Sequence, residues 1–193
     1  MSSKSTSTQY GSVAIAIHWS SATAVVVAFV AGLVLANSEV VPVPLLVGHI
    51  VLGLTVFALT LLRIVWWWVA DKHPEAPNDQ PRWQQLAARA VHISLYAILI
   101  LMGTSGIMTI VLSGAIPALL SGAALPDFSE LVPRVAHGVM SKLLLVLLAG
   151  HIGAALYHQF VRRDHLLARM GVGSACVRSR VLPRRSCGRW QRS

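Results

Sequence analysis

The chain has 193 residues, of which 55% are hydrophobic and 12% charged, with a mean hydropathy of +0.65. A water-soluble domain carries about a quarter charged residues, so this composition excludes an ordinary soluble globule, a disordered chain and a collagen-like fibre. Sixteen Lys and Arg against seven Asp and Glu give a formal charge of +9, but more than half of the basic residues lie from Arg162 onward, so the excess belongs to a tail.

Four apolar runs follow in chain order: residues 13–36, 44–70, 88–112 and 135–161. Each is longer than the roughly 20 residues a helix needs to span the hydrocarbon. A helix is also the only single segment that satisfies its own backbone groups in lipid. The expected fold is all-α, a four-helix transmembrane bundle. The first run exceeds a signal-peptide core, is preceded by one basic residue, Lys4, and has no clean cleavage site after it, so it is read as a mature span.

Residues 37–43 form a short link. Residues 71–85 are polar and broken by Pro74, Pro77 and Pro81, and residues 113–133 hold Gly114, Pro117, Gly122, Pro126 and Pro133, so both read as loops. Within the second of these, residues 116–125 are apolar enough to lie on the membrane surface. No internal repeat is present. The expected organisation is an N-terminal segment 1–12, a membrane domain 13–170 and a basic, disordered tail 171–193.

Basic residues near span ends set orientation. Lys4, Lys72, Arg82, Arg89 and the tail fall on one side, and Arg134 alone marks the other loops. Both termini are therefore expected in the cytoplasm, with the opposite face periplasmic in a bacterial inner membrane. Cys176 and Cys187 lie in the tail and form no Cys-x-x-Cys or Cys-x-x-Cys-His motif, which argues against a thioredoxin site, a Cys-rich zinc site and covalently attached haem.

Six of the eight histidines fall inside or at the ends of the spans: His18, His49, His92, His137, His151 and His158. Ionisable groups at membrane depth are costly and usually functional. With alternating helix directions, His18 lies near the cytoplasmic face and His49 and His137 near the periplasmic one. His151 follows His137 by fourteen residues, about 21 Å along a helix and nearly four whole turns, so the two share a face. Two levels result, His49 opposite His137 and His18 opposite His151. Paired imidazoles with no carboxylate or thiolate suit a six-coordinate haem iron better than zinc or a non-haem iron site. Gly48, Gly138 and Gly150 beside the ligands would let a flat ring approach, or would simply help helices pack.

Arg63 lies fourteen residues after His49, on the same face. Two readings stand for it: a bidentate bond to a haem propionate, or snorkelling to lipid phosphate. Lys142 falls off the ligand face. Trp66, Trp67 and Trp68 read as an interfacial belt, and the tail as a lipid-binding segment rather than a nucleic-acid reader. His158, seven residues beyond His151, and His92, at the opening of the third span, are candidates to donate protons near the cytoplasmic level. A structural role for either is the alternative.

The ordered set of Ile17-His18-Trp19, His49, Arg63, His92 to Tyr96, His137 to His151, Tyr157-His158 and Leu166-Leu167 resembles the bacterial cytochrome b561 family over about residues 10–170. These are small di-haem relatives of the cytochrome b subunits of hydrogenases and formate dehydrogenases. The resemblance implies one haem b on His18 and His151 and another on His49 and His137, the pairs the depths give. It implies an oxidoreductase passing single electrons from periplasmic superoxide to ubiquinone, or an electron-transfer subunit linking a partner redox enzyme to the quinone pool. A non-redox bundle with structural histidines is a third reading. The expected partners are quinone, superoxide or a redox protein, and lipid.

Overall fold

A computed structural model describes residues 2–72, 74, 80–164 and 166–173. The part of the expected disordered tail from residue 174 onward, with Cys176 and Cys187, lies outside the described residues. Four long helices dominate: α1 (Ser12–Ala36), α2 (Val43–Val69), α3 (Arg82–Leu112) and, after a short α4 (Ala115–Ser121), α5 (Val132–Leu156). A π-helical turn (Tyr157–Arg162) and a short α6 (Leu166–Arg169) follow. α1, α2, α3 and the stretch Val132–Arg162 are each long and apolar enough to cross a membrane.

The boundaries follow from local chemistry. Pro44 and Pro133 sit in the first turns of α2 and α5, where a missing N–H costs nothing. Gly114 and Gly122, at φ 67° and 73°, bracket α4 in left-handed conformations that favour glycine. The third span begins six residues before its apolar run, because Arg82 to Ala87 continue the helix on the polar side. His92 therefore lies more than two turns inside α3 and does not open it. The loop expected over residues 113–133 contains α4.

The bundle is apolar on the outside. Val26, Val30, Leu62, Leu101 and Val146 are among many large side chains facing outward, as lipid requires of helices that bond their own backbones. The buried cluster is small and takes one residue from each long helix: Val25, Val56, Ile98 and Leu144. Leu144 is seven residues from both His137 and His151, Val25 seven from His18, and Val56 seven from His49. The packed plug thus lies midway between the two histidine levels. The hydroxyls of buried Thr60 and Thr109 donate to the carbonyls one turn back, Val56 and Ser105. Gly103 lets α3 pass Phe57 on α2. A Cβ there would overlap the ring, 2.7 Å from Cγ and 2.9 Å from Cβ.

Candidate functional site

The fourteen-residue interval recurs on every long helix. It links His18 to Gly32, His49 to Arg63, His92 to Gly106 and His137 to His151. Each helix therefore presents one residue to each end of the bundle on a single face.

At one level His49 and His137 face each other with ring centroids 6.1 Å apart and planes at 77°. Nδ1 of His49 lies 2.9 Å from the Ala28 carbonyl. Nδ1 of His137 lies 3.1 Å from the Met102 carbonyl and 3.1 Å from Ser105 Oγ, whose hydroxyl itself donates to Met102. A carbonyl only accepts, so both imidazoles carry hydrogen on Nδ1 and keep the Nε2 lone pair for a ligand. Gly32 and Gly106 make room: a Cβ on Gly32 would sit 3.1 Å from His49 Cε1, and one on Gly106 3.4 Å from His137 Cε1. These two glycines carry no motif of their own. Their signal in the sequence is the shared interval from His18 and His92.

At the other level His18 and His151 lie 6.5 Å apart with planes at 64°. His92 stacks edge-on against His151 at 5.3 Å. Arg63 reaches this level, where its NH1 donates to His18 Nδ1 at 2.9 Å and its guanidinium lies 5.9 Å from the centre of the Tyr96 ring. No carboxylate meets it, and its Nε is buried without a hydrogen-bond partner among the described residues. An arginine has only donors, so His18 Nδ1 accepts and its hydrogen sits on Nε2 in this arrangement.

Two imidazoles bound to one metal through Nε2 have ring centroids about 6.2 Å apart, from a metal–nitrogen bond of about 2.0 Å and about 1.1 Å from ring centre to nitrogen. Both pairs fit that span. The His49–His137 pair also has the right tautomers. The His18–His151 pair would need Arg63 to release His18, and a propionate would accept the released guanidinium and its orphaned Nε. Among the described residues no three His, Cys, Asp or Glu gather as a metal cluster.

The remaining candidates are dispersed. His158 lies in the π-helical turn and bonds Asp164 at 2.5 Å. Lys142 is on the exposed face of α5. The N-terminal segment packs over the end of the bundle where α2 finishes and α6 lies. Asp71 accepts from the Ser5 amide and hydroxyl and from Trp66 Nε1. Arg169 donates to the Thr8 and Ser7 carbonyls, and Trp19 Nε1 to the Met170 carbonyl. Burial pushes the Tyr10 hydroxyl of this segment above the ordinary phenol range, against the pull of Arg169 and Arg63. A cavity of about 460 Å³ between α2 and α3 is lined by Ile64, Trp67, Trp68, Ile93 and Tyr96.

A profile of the family described as prokaryotic cytochrome b561 matches residues 9–173. Two proteins of Escherichia coli (strain K12) are similar. Cytochrome b561 homolog 2 is 29% identical over 185 residues, covering 88% of this chain and 95% of that protein. Cytochrome b561 homolog 1 is 28% identical over 132 residues, covering 63% and 72%. The matched stretch takes in every long helix and both histidine pairs, and the chain belongs to the prokaryotic cytochrome b561 family.

Proposed function

We propose that this chain, a membrane haem b electron-transfer protein by its family, holds two b haems in series and passes single electrons from superoxide to ubiquinone. The observation that carries the reading is the two facing histidine pairs, each at metal-bridging separation and on opposite sides of the central plug. His49 and His137 would hold one haem and His18 and His151 the other, with Arg63 on a propionate. When bound, each haem takes up and releases one electron at a time at its iron.

The protein's own groups do the rest. The Ala28 and Met102 carbonyls fix the His49 and His137 rings and make them stronger ligands. The apolar plug excludes water between the levels. Lys and Arg near the span ends favour cytoplasmic termini, which puts the His49 level toward the periplasm and the His18 level toward the cytoplasm. In the net reaction two superoxide anions each lose one electron and leave as dioxygen. One ubiquinone gains two electrons and two protons and becomes ubiquinol. His158 and His92 are the candidate proton donors.

The test is a reduced-minus-oxidised spectrum of the purified protein with its haem-to-protein ratio, followed by ubiquinone reduction driven by superoxide. Two b haems per chain and quinol formation are expected. Haem reduction without superoxide-driven quinol formation points to electron transfer on behalf of a partner enzyme. Absence of haem rejects the redox reading.

A further inference from the structure

The end of the bundle where α6 meets the N-terminal segment holds a pair of groups that the histidine levels do not use. The fourth span leaves α geometry at Leu156, and Tyr157–Arg162 forms a π-helical turn. Such wider turns are rare and recur at functional sites. Arg163 then adopts φ 57°, the one positive φ at a non-glycine among the described residues. That conformation is unfavourable for an L-residue. The two departures turn the chain back on itself. The Asp164 amide donates to the His158 carbonyl at 3.3 Å, and the Asp164 carboxylate bonds His158 Nδ1 at 2.5 Å, with the side chains 15% (His158) and 22% (Asp164) exposed. This is the one ion pair among the described residues. The second oxygen, Asp164 Oδ1, is buried without a hydrogen-bond partner among those residues. A carboxylate only accepts, so Nδ1 carries a hydrogen and Nε2 is left for another partner.

We propose that Asp164 and His158 form a proton-relay dyad for quinone reduction, with His158 as the donor and Asp164 as its positioning residue. The proposal rests on the quinone-reducing function above. The quinone takes two electrons, one at a time, from the protein's electron-transfer activity. For each proton, the Nε2–H bond of the His158 imidazolium breaks and an O–H bond of the quinol forms. The imidazole is left neutral, with its Nδ1–H still on Asp164. A proton from the aqueous phase on the same side returns to Nε2, and a second cycle supplies the second proton. Asp164 stays ionised and offsets the imidazolium charge. The other charged groups nearby are Arg162 and Arg163 on the turn and Arg169 on α6, which is engaged by the Ser7 and Thr8 carbonyls. Tyr157 packs edge-on against His158 at 5.9 Å. None of these supplies a carboxylate, so the dyad depends on Asp164.

The haem-loaded protein is pre-reduced and mixed with a soluble short-chain ubiquinone, and haem oxidation is followed by stopped flow. His158→Ala should retain its haem and slow oxidation about a hundredfold, the scale of general acid catalysis, with partial rescue by added imidazole. Should the Ala variant lose haem, His158→Gln replaces it. Asp164→Asn keeps a hydrogen-bond acceptor but loses the charge. It should lower the maximal rate about tenfold with the quinone KM unchanged, and Asp164→Glu should recover most of the rate. In histidine-labelled protein, the low-field Nδ1 proton resonance of His158 should vanish in Asp164→Asn. Wild-type protein that exchanges no electrons with quinone overturns the functional reading and the relay with it. Wild-type exchange with an unaffected Asp164→Asn variant overturns the relay alone. So do loss of rate through KM and the absence of the low-field resonance.

Discussion

Replacing Gly32 by Ala should loosen one haem and leave the other in place. The new Cβ would stand 3.1 Å from His49 Cε1, inside ordinary van der Waals contact. The ring must retreat by a few tenths of an ångström, yet the 2.9 Å bond from Nδ1 to the Ala28 carbonyl holds it on the α1 side. Overpacking of this kind costs about 1–3 kcal/mol, against roughly 1 kcal/mol gained from the better helix propensity of Ala. A net cost of about 1 kcal/mol weakens retention of the His49 haem about fivefold. Gly106→Ala is the paired comparison, since its Cβ would meet His137 at 3.4 Å, an ordinary contact. Gly53→Ala is the control, with nothing within 4 Å. Redox titration of the two haem components, with haem content per protein, reads the result. A Gly32→Ala protein with both components at wild-type content and potential would falsify the close approach of α1 to His49. Equal loss of both would show a general folding defect.

His49→Ala and His137→Ala should remove the same haem, and His18→Ala and His151→Ala the other; variants of His18 and His49 that lose the same component would overturn the pairing. Burial acts to raise the Asp71 carboxyl, but hydrogen bonds from Ser5, Lys72 and Trp66 outweigh it and hold the group below the usual carboxylate range. A depressed folded value stabilises the N-terminal segment above the unfolded value near pH 4, and the contribution is lost as pH falls through the folded value. Protease protection of residues 2–11 should therefore drop on acidification below about pH 4, and Asp71→Asn should lose that pH dependence. Cys176 and Cys187 should resist membrane-impermeant thiol reagents in intact cells and react after lysis, and labelling of intact cells would reverse the orientation.

Spans and intervals were legible in the sequence because both are one-dimensional. Lipid demands about 20 apolar residues per crossing, and helical periodicity puts residues fourteen apart on one face. Those two rules place His49 opposite His137 and His18 opposite His151 before any coordinates are known. What stayed hidden depends on which helix neighbours which, and on local backbone that departs from regular helix. Arg63 bonds His18, 45 residues away in sequence, because α1 and α2 pack side by side. Periodicity gives the face of Arg63 but not the atom it meets. His92 stacks on His151 only because α3 begins at Arg82 and carries it inward. A helix-period reading of His158 continues it along the ligand face. The π-helical turn and the left-handed Arg163 instead bring Asp164 to it. The sequence counts residues along a helix; tertiary packing decides how close two helices come and where a helix stops being regular. Gly32, Gly106 and Asp164 take their roles from those distances.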